Sequence, residues 1–204
     1  MLRRLLQLYI GLVLYGVSTA LFVHANLGAD PWDVFHLGVA KQLGISFGTV
    51  IILTGAAVLL LWIPIRQMPG LGTVSNVIVL GLAADAALAV LPPLESLVAR
   101  SALLAGAIVL NAIATGMYIG AGFGPGPRDG LMTGLHARTG WSLRGIRTAI
   151  ELSVLLIGWL LGGKFGVGTV IYALSIGPLI QLCLPWFSQP VSRNAVSPPR
   201  EIVS

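Results

Sequence analysis

The sequence predicts an all-α membrane protein: six transmembrane helices as two three-helix inverted-topology repeats, each with a short re-entrant or interfacial helix. Three observations predict it. Of 204 residues, 56% are apolar and only 9% charged, against about a quarter charged in soluble domains. Too little polar material remains to cover a soluble globule. Six segments match the length and apolar character of a membrane span, which takes about 20 residues. Finally, at a displacement of 96 residues (Pro31 to Pro127) the second half returns the first without a gap.

The first span, about 5–25, opens MLRRLLQLYIGLVLYG, which has the outline of a signal peptide. The repeat argues that it is retained. The other spans fall at about 47–65, 73–91, 101–121, 143–161 and 169–187. Breaks lie at turn-forming sequences: RQMPGLG (Arg66 to Gly72), LPPLES (Leu91 to Ser96) and GGKFGVG (Gly162 to Gly168). Residues 1–92 then form the first membrane repeat and 93–187 the second. The polar, proline-bearing residues 188–204 are expected to be a disordered cytoplasmic tail.

Two further segments are too short to span. PWDVFHLGVAKQLG predicts a helix from Pro31 to Leu43, with Gly44 as its stop. Proline at the first helical position needs no backbone donor and has its torsion preset. Asp33, two residues on, suits the positive end of the helix dipole. PRDGLMTGLHARTG, Pro127 to Gly140, repeats the pattern with Asp129. Some 13 residues rise about 20 Å as helix, short of a core of roughly 30 Å. The first also carries Asp33, His36 and Lys41. Both are therefore expected as re-entrant or interfacial helices and not as a seventh and eighth span.

The repeat register pairs Asp33 with Asp129, Gly38 with Gly134, Gly44 with Gly140 and Ser46 with Ser142. Gly70-Leu-Gly-Thr-Val74 meets Gly166-Val-Gly-Thr-Val170, Gly81 meets Gly177, and Thr19 and Ala25 meet Thr115 and Ala121. Three spans per half is an odd number, so the second half enters the membrane from the opposite side. Transporters built this way hold substrate near the midplane between the halves. With the N-terminus inside, nine of the twelve Lys and Arg residues fall on the cytoplasmic side. Only Lys41, Arg100 and Lys164 fall outside. Both termini are then cytoplasmic.

Ionisable and amide residues within spans are the candidate site, because they are costly there unless they face a partner or a cavity. Glu151 lies about 12 Å along its span by helix rise, with Arg147 one turn earlier on the same face. They are expected either to pair structurally or to bind substrate or a proton. Asp33 and Asp129 either stabilise their helix starts or position two helix N-termini, which favour anionic groups, around a shared cavity. Arg128, between Pro127 and Asp129, joins the same set. Asp85 and Asn111, with repeat mates Gln181 and Tyr15, are read as cavity lining or as interhelical hydrogen-bonding groups.

Other classes find no support. The basic residues behind the net charge of +5 are spread thinly, which excludes a nucleic-acid patch. A single cysteine, Cys183, rules out an internal disulfide and a cysteine metal site. His24, His36 and His136 lack metal-ligand spacing. GFGPGPRDG and GGKFGVGT fail as dinucleotide or phosphate loops. No catalytic constellation is evident. No enzyme activity and no cofactor are expected.

Taken together, GADPWDVF, GPGPRDGLMTGL, RTAIE (Arg147 to Glu151), GWLLGG (Gly158 to Gly163) and GVGT resemble the bacterial YczE/YyaS/YitT-like membrane proteins, YczE type most closely. The resemblance covers roughly residues 5–187. It implies a multi-spanning protein of the bacterial cytoplasmic membrane without an established activity, some relatives being discussed as exporters of secondary metabolites. The YitT branch adds a soluble C-terminal domain, and no role of that domain is carried over. The expected function is that of a secondary transporter or exporter of a small organic solute. The rival expectation is a non-transporting scaffold or accessory for a biosynthetic or regulatory partner. Expected partners are the lipid bilayer, a small-molecule substrate and, at 21.3 kDa, a second copy of the chain. Nucleic acid is not among them.

Overall fold

A computed structural model describes residues 1–188. Beyond Ser188, the expected tail lies outside the described residues. Among them are eight α-helices: α1 (Leu2–Ala25), α2 (Pro31–Leu43), α3 (Phe47–Ile65), α4 (Leu71–Val90), α5 (Leu97–Gly120), α6 (Pro127–Thr139), α7 (Leu143–Leu160) and α8 (Val167–Phe187). The order long, short, long, long occurs twice. Five of the long helices, α1, α3, α4, α5 and α8, are long and apolar enough to cross a membrane. The sixth, α7, has 18 residues but carries Arg144, Arg147 and Glu151.

Local chemistry sets the helix ends. Asp30 caps α2, its Oδ1 accepting the Asp33 amide at 2.7 Å. Gly44, with φ of 66°, ends that helix. Ser46 caps α3 by accepting the Thr49 amide. Asp85 of α4 reinforces that end, accepting from the Gly48 amide at 2.7 Å and the Ser46 hydroxyl at 2.5 Å. Asp85→Ala would leave the Gly48 amide without its acceptor, while the Ser46 hydroxyl keeps Thr49 Oγ1 at 2.7 Å. It is expected to lower stability by about 1 kcal/mol, read as an earlier unfolding transition in detergent.

The GxGT motifs gain a physical reason. The Gly72 amide at the start of α4 donates to the Phe123 carbonyl at 2.9 Å, and the Gly168 amide at the start of α8 donates to the Leu27 carbonyl at 2.8 Å. Each motif thus grips the loop that precedes the short helix of the other half. The gripped loops run through Gly28 (φ 110°) and Gly124 (φ 114°), where a side chain would be strained and would crowd Thr169 or Thr73. Arginines repeat the exchange. Arg4 donates to the Ala121 and Gly122 carbonyls at 2.9 and 3.2 Å, and Arg100 to those of Ala25 and Asn26 at 2.7 and 2.5 Å. The start of α1 therefore lies at the end of α5 and the reverse, so the two run antiparallel.

Helix packing follows small residues. Helix α1 lies against α5 and α4, and α5 against α8. Helix α2 packs on α7 and α6 on α3. Gly38, Gly158 and Gly163 bring α2 and α7 together almost backbone to backbone. At the equivalent contact, Trp62 of α3 presses on Gly130 of α6 and donates Nε1–H to the Pro127 carbonyl at 3.0 Å. One contact has no counterpart. Helix α3 packs on α4 through Gly48, Gly55 and Gly81, whereas α7 and α8 make at most marginal contact. Gly177, the repeat mate of Gly81, has nothing within 4 Å. The positions of α7 that match Gly48 and Gly55 are Arg144 and Glu151, which cannot pack as glycines do.

Candidate functional site

The N-termini of α2 and α6 meet at a cavity of about 240 Å³. Its walls come from both halves: Tyr15 of α1, Thr54 and Val58 of α3, Asn76 and Leu80 of α4, Thr115 and Tyr118 of α5, and Tyr172 and Ile176 of α8. Charge enters from Asp30, Arg128 and Asp129 at the two helix starts and from Arg147 and Glu151 on α7. A second depression, of about 490 Å³, lies between the end of α1 and residues 162–164. It carries Lys41 and Lys164 but no convergent buried polar groups of the kind that mark a binding site.

Trp32 and Arg128 occupy equivalent repeat positions and meet each other. The Arg128 guanidinium lies 4.8 Å over the Trp32 ring, within the range of a cation–π contact. Its Nη1 donates to Asp30 Oδ2 at 3.4 Å, a long bond. Asp129 accepts from the Tyr118 hydroxyl at 3.0 Å. Arg147 and Glu151 pair at 2.8 Å across one helical turn, both partly exposed.

Several buried polar atoms at this place have no hydrogen-bond partner among the described residues. They are Trp32 Nε1, Thr115 Oγ1, Asp33 Oδ2 and His36 Nδ1. The His36 Nδ1 atom stands 3.4 Å from Asp33 Oδ1, close enough for attraction but not aligned as a hydrogen bond. Helix α2 is too short to cross a bilayer. Within it, burial raises the Asp33 carboxyl to about 7 and lowers the His36 imidazole to about 3. Burial, then the charge of Asp33, also raises the Asp30 carboxyl.

Of the residues singled out from sequence, the structure brings Glu151, Arg147, Arg128 and Asp129 to the cavity. Asp33, in the first turn of α2, is buried (1% exposed) and does not line the cavity. Asp85 is elsewhere, at the start of α3. Asn111 is a buried link between helices, its Nδ2 donating to Ser18 Oγ at 2.9 Å and its Oδ1 accepting from the Tyr172 hydroxyl at 3.4 Å. The sequence reading passed over Asp30, Trp32 and Tyr118. For Asp30 a signal existed, an aspartate directly before a first-turn proline. Among the described residues, no group of three or more His, Cys, Asp or Glu is placed to hold a metal ion.

Comparison with known proteins places this geometry among relatives without an assigned role. A family model described as "Family of unknown function (DUF6198)" matches residues 2–185. An uncharacterized protein of Haemophilus influenzae is 38% identical over 177 residues, covering 87% of this chain and 81% of that protein. The uncharacterized membrane protein YczE of Bacillus subtilis is 30% identical over 179 residues, covering 87% and 83%. The uncharacterized protein YyaS of the same organism is 23% identical over 180 residues, covering 86% and 90%. No solved structure matches. The likeness to YczE and YyaS agrees with the resemblance drawn from the motifs. With five helices of spanning length and composition and a membrane protein among its relatives, the chain is a multi-pass membrane protein.

Proposed function

We propose that this chain, which belongs to the DUF6198 family of unknown function, is a secondary transporter of a small organic solute, built as two inverted halves of three spans each. One observation carries this reading: the α2 and α6 N-termini converge on a cavity lined from both halves. Short helices whose positive ends meet between repeats are a recurring way to hold a charged solute near the bilayer midplane.

Three features support the inversion. Arg4 and Arg100 exchange equivalent bonds between the halves, and so do Gly72 and Gly168. The paired helices α1 and α5 run antiparallel, so the two-fold relating the halves runs across the helices and in the membrane plane. The charges of α7 also have an account as a span. Arg147 and Glu151 pair beside the cavity, as ionisable residues within a membrane do. Arg144 lies in the first turn, where its side chain reaches the interface. The excess of Lys and Arg on the side of the N-terminus supports a reading in which both termini are cytoplasmic.

Alternating access has a structural starting point in the unequal halves. Helices α3 and α4 are closed on each other, while α7 and α8 stand apart with the cavity between them. Rocking one half against the other would move the opening from one lobe to the other.

Cysteine labelling tests the topology. In a Cys183→Ser background, cysteines at Gly44 and Gly140, the open stops of α2 and α6, are expected to react with an impermeant maleimide from opposite sides. Gly44→Cys should label in intact cells and Gly140→Cys only in inverted vesicles. Labelling of both from one side would overturn the inverted arrangement.

A further inference from the structure

Resting on the reading of the central cavity as a solute site, the geometry points to a small zwitterion as its ligand. This is an amine-bearing carboxylate of amino-acid size, with its carboxylate at the N-terminus of α6 and its ammonium beside Asp129.

The argument begins where the repeat breaks. Helices α2 and α6 are both 13 residues long and both begin with proline. The residue before that proline is Asp30 in the first half and Gly126 in the second. Asp30 supplies α2 with a carboxylate cap from within the chain. Among the described residues, α6 has no side-chain cap, so the amides of Arg128 and Asp129, both cavity-lining residues, have no side-chain acceptor.

Residues with unmatched donors line the same cavity. Trp32 Nε1 can only donate. It belongs to a side chain 6% exposed on the cavity wall, and it has no partner among the described residues. The Thr115 hydroxyl, 7% exposed, is in the same position. Arg128 has five N–H donors and, among the described residues, one long hydrogen bond. Buried donors without acceptors are costly. A carboxylate, which only accepts and bonds strongly to charged donors, satisfies them best.

A plain anion does not fit the remaining charges. Asp30, Asp129 and Glu151 line the cavity against Arg128 and Arg147, three carboxylates to two cations. Arg128 pairs with Asp30 and Arg147 with Glu151. Asp129 has the Tyr118 hydroxyl but no cationic partner among the described residues. The ring of Tyr118 adjoins it, and an ammonium placed there gains from both carboxylate and aromatic face. Both charges of a zwitterion are thus met, and the small volume limits its length.

Binding is tested on the purified full chain in detergent, by thermal unfolding and calorimetry, with four probes at equal concentration. The probes are L-alanine, 4-aminobutyrate, propionate and propylamine. At least one of the two zwitterions is expected to raise the unfolding temperature in a concentration-dependent way. Propionate and propylamine should bind at least about tenfold more weakly. Trp32→Phe should weaken zwitterion binding by about tenfold. Gly126→Ser, which gives α6 a cap of its own, should weaken it similarly while leaving the unliganded unfolding temperature unchanged or higher. Propionate or propylamine matching the zwitterions would overturn the assignment, as would no response to either zwitterion or unaltered binding in both variants. The readout needs no gradient, which separates it from the transport reading. Zwitterion binding without flux in proteoliposomes defeats transport alone. Flux of another solute, without zwitterion binding, defeats the ligand assignment alone.

Discussion

Gly158→Ala is expected to destabilise the fold by about 3 kcal/mol, the upper end of the usual cost of overpacking. A Cβ at Gly158 would overlap the backbone of Phe35 on α2. Side chains can rotate away from an added methyl group, but backbone cannot. Helix α2 has little room to retreat, because its preceding loop is gripped through the Gly168 amide and its own Gly38 already touches α7. Relief would require α2 to lift from α7 as a unit, carrying Asp30 and Trp32 with it. The variant should therefore lose the cavity geometry along with stability. The measurement is thermal unfolding in detergent followed by tryptophan fluorescence. Gly106→Ala is the control, since that glycine sits within α5 with nothing within 4 Å of an added Cβ. It should gain up to about 1 kcal/mol through helix propensity. A Gly158→Ala protein as stable as its parent would mean that α2 does not rest on α7 as described.

That contact shows what the sequence disclosed and what it withheld. Apolar length and turn-forming breaks locate the long helices to within a few residues, because both properties are local. Pro31 and Pro127 mark the starts of the short helices for the same reason, and Gly44 and Gly140 their stops. The repeated GxGT was visible as a pattern but not as a cause. Its partners are the backbone carbonyls of Leu27 and Phe123 in the opposite halves, and a carbonyl leaves no trace in residue type. Asp85 shows the limit for polar residues. An acid within a span must be satisfied somewhere, but the sequence does not say whether by a cavity or by a helix end. The start of α3 takes it. Arg147 and Glu151 were easier to place, since few positions on a membrane helix tolerate two charges one turn apart. Asp30 escaped notice because comparison of the halves sets it against Gly126 and favours positions that agree.

Glu151→Gln is expected to cut solute flux by about 10- to 100-fold, the equivalent of one charge-assisted hydrogen bond, while changing stability by less than about 1 kcal/mol. The small stability term follows from the position of the pair. Arg147 and Glu151 lie one turn apart on one helix and are both partly exposed, and such pairs contribute little. The larger functional term follows from what the substitution frees. Without the carboxylate, Arg147 loses its partner and becomes an unpaired cation on the cavity wall, competing with α6 for an anionic group. A solute that must be released as well as bound would then be held in the wrong place. Flux is read as counterflow of labelled L-alanine or 4-aminobutyrate in proteoliposomes, with the unfolding temperature as the control for folding. Arg147→Gln separates a binding role from mere pairing. If the two residues only pair, either substitution gives the same slight effect and flux is retained, which favours a scaffold over a transporter. If Glu151 acts on the solute or on a coupled proton, its loss is the more damaging. Because the damage comes from the freed arginine, the double variant should recover much of the flux lost in Glu151→Gln; a double variant no better than Glu151→Gln alone would mean that the cycle uses the carboxylate itself.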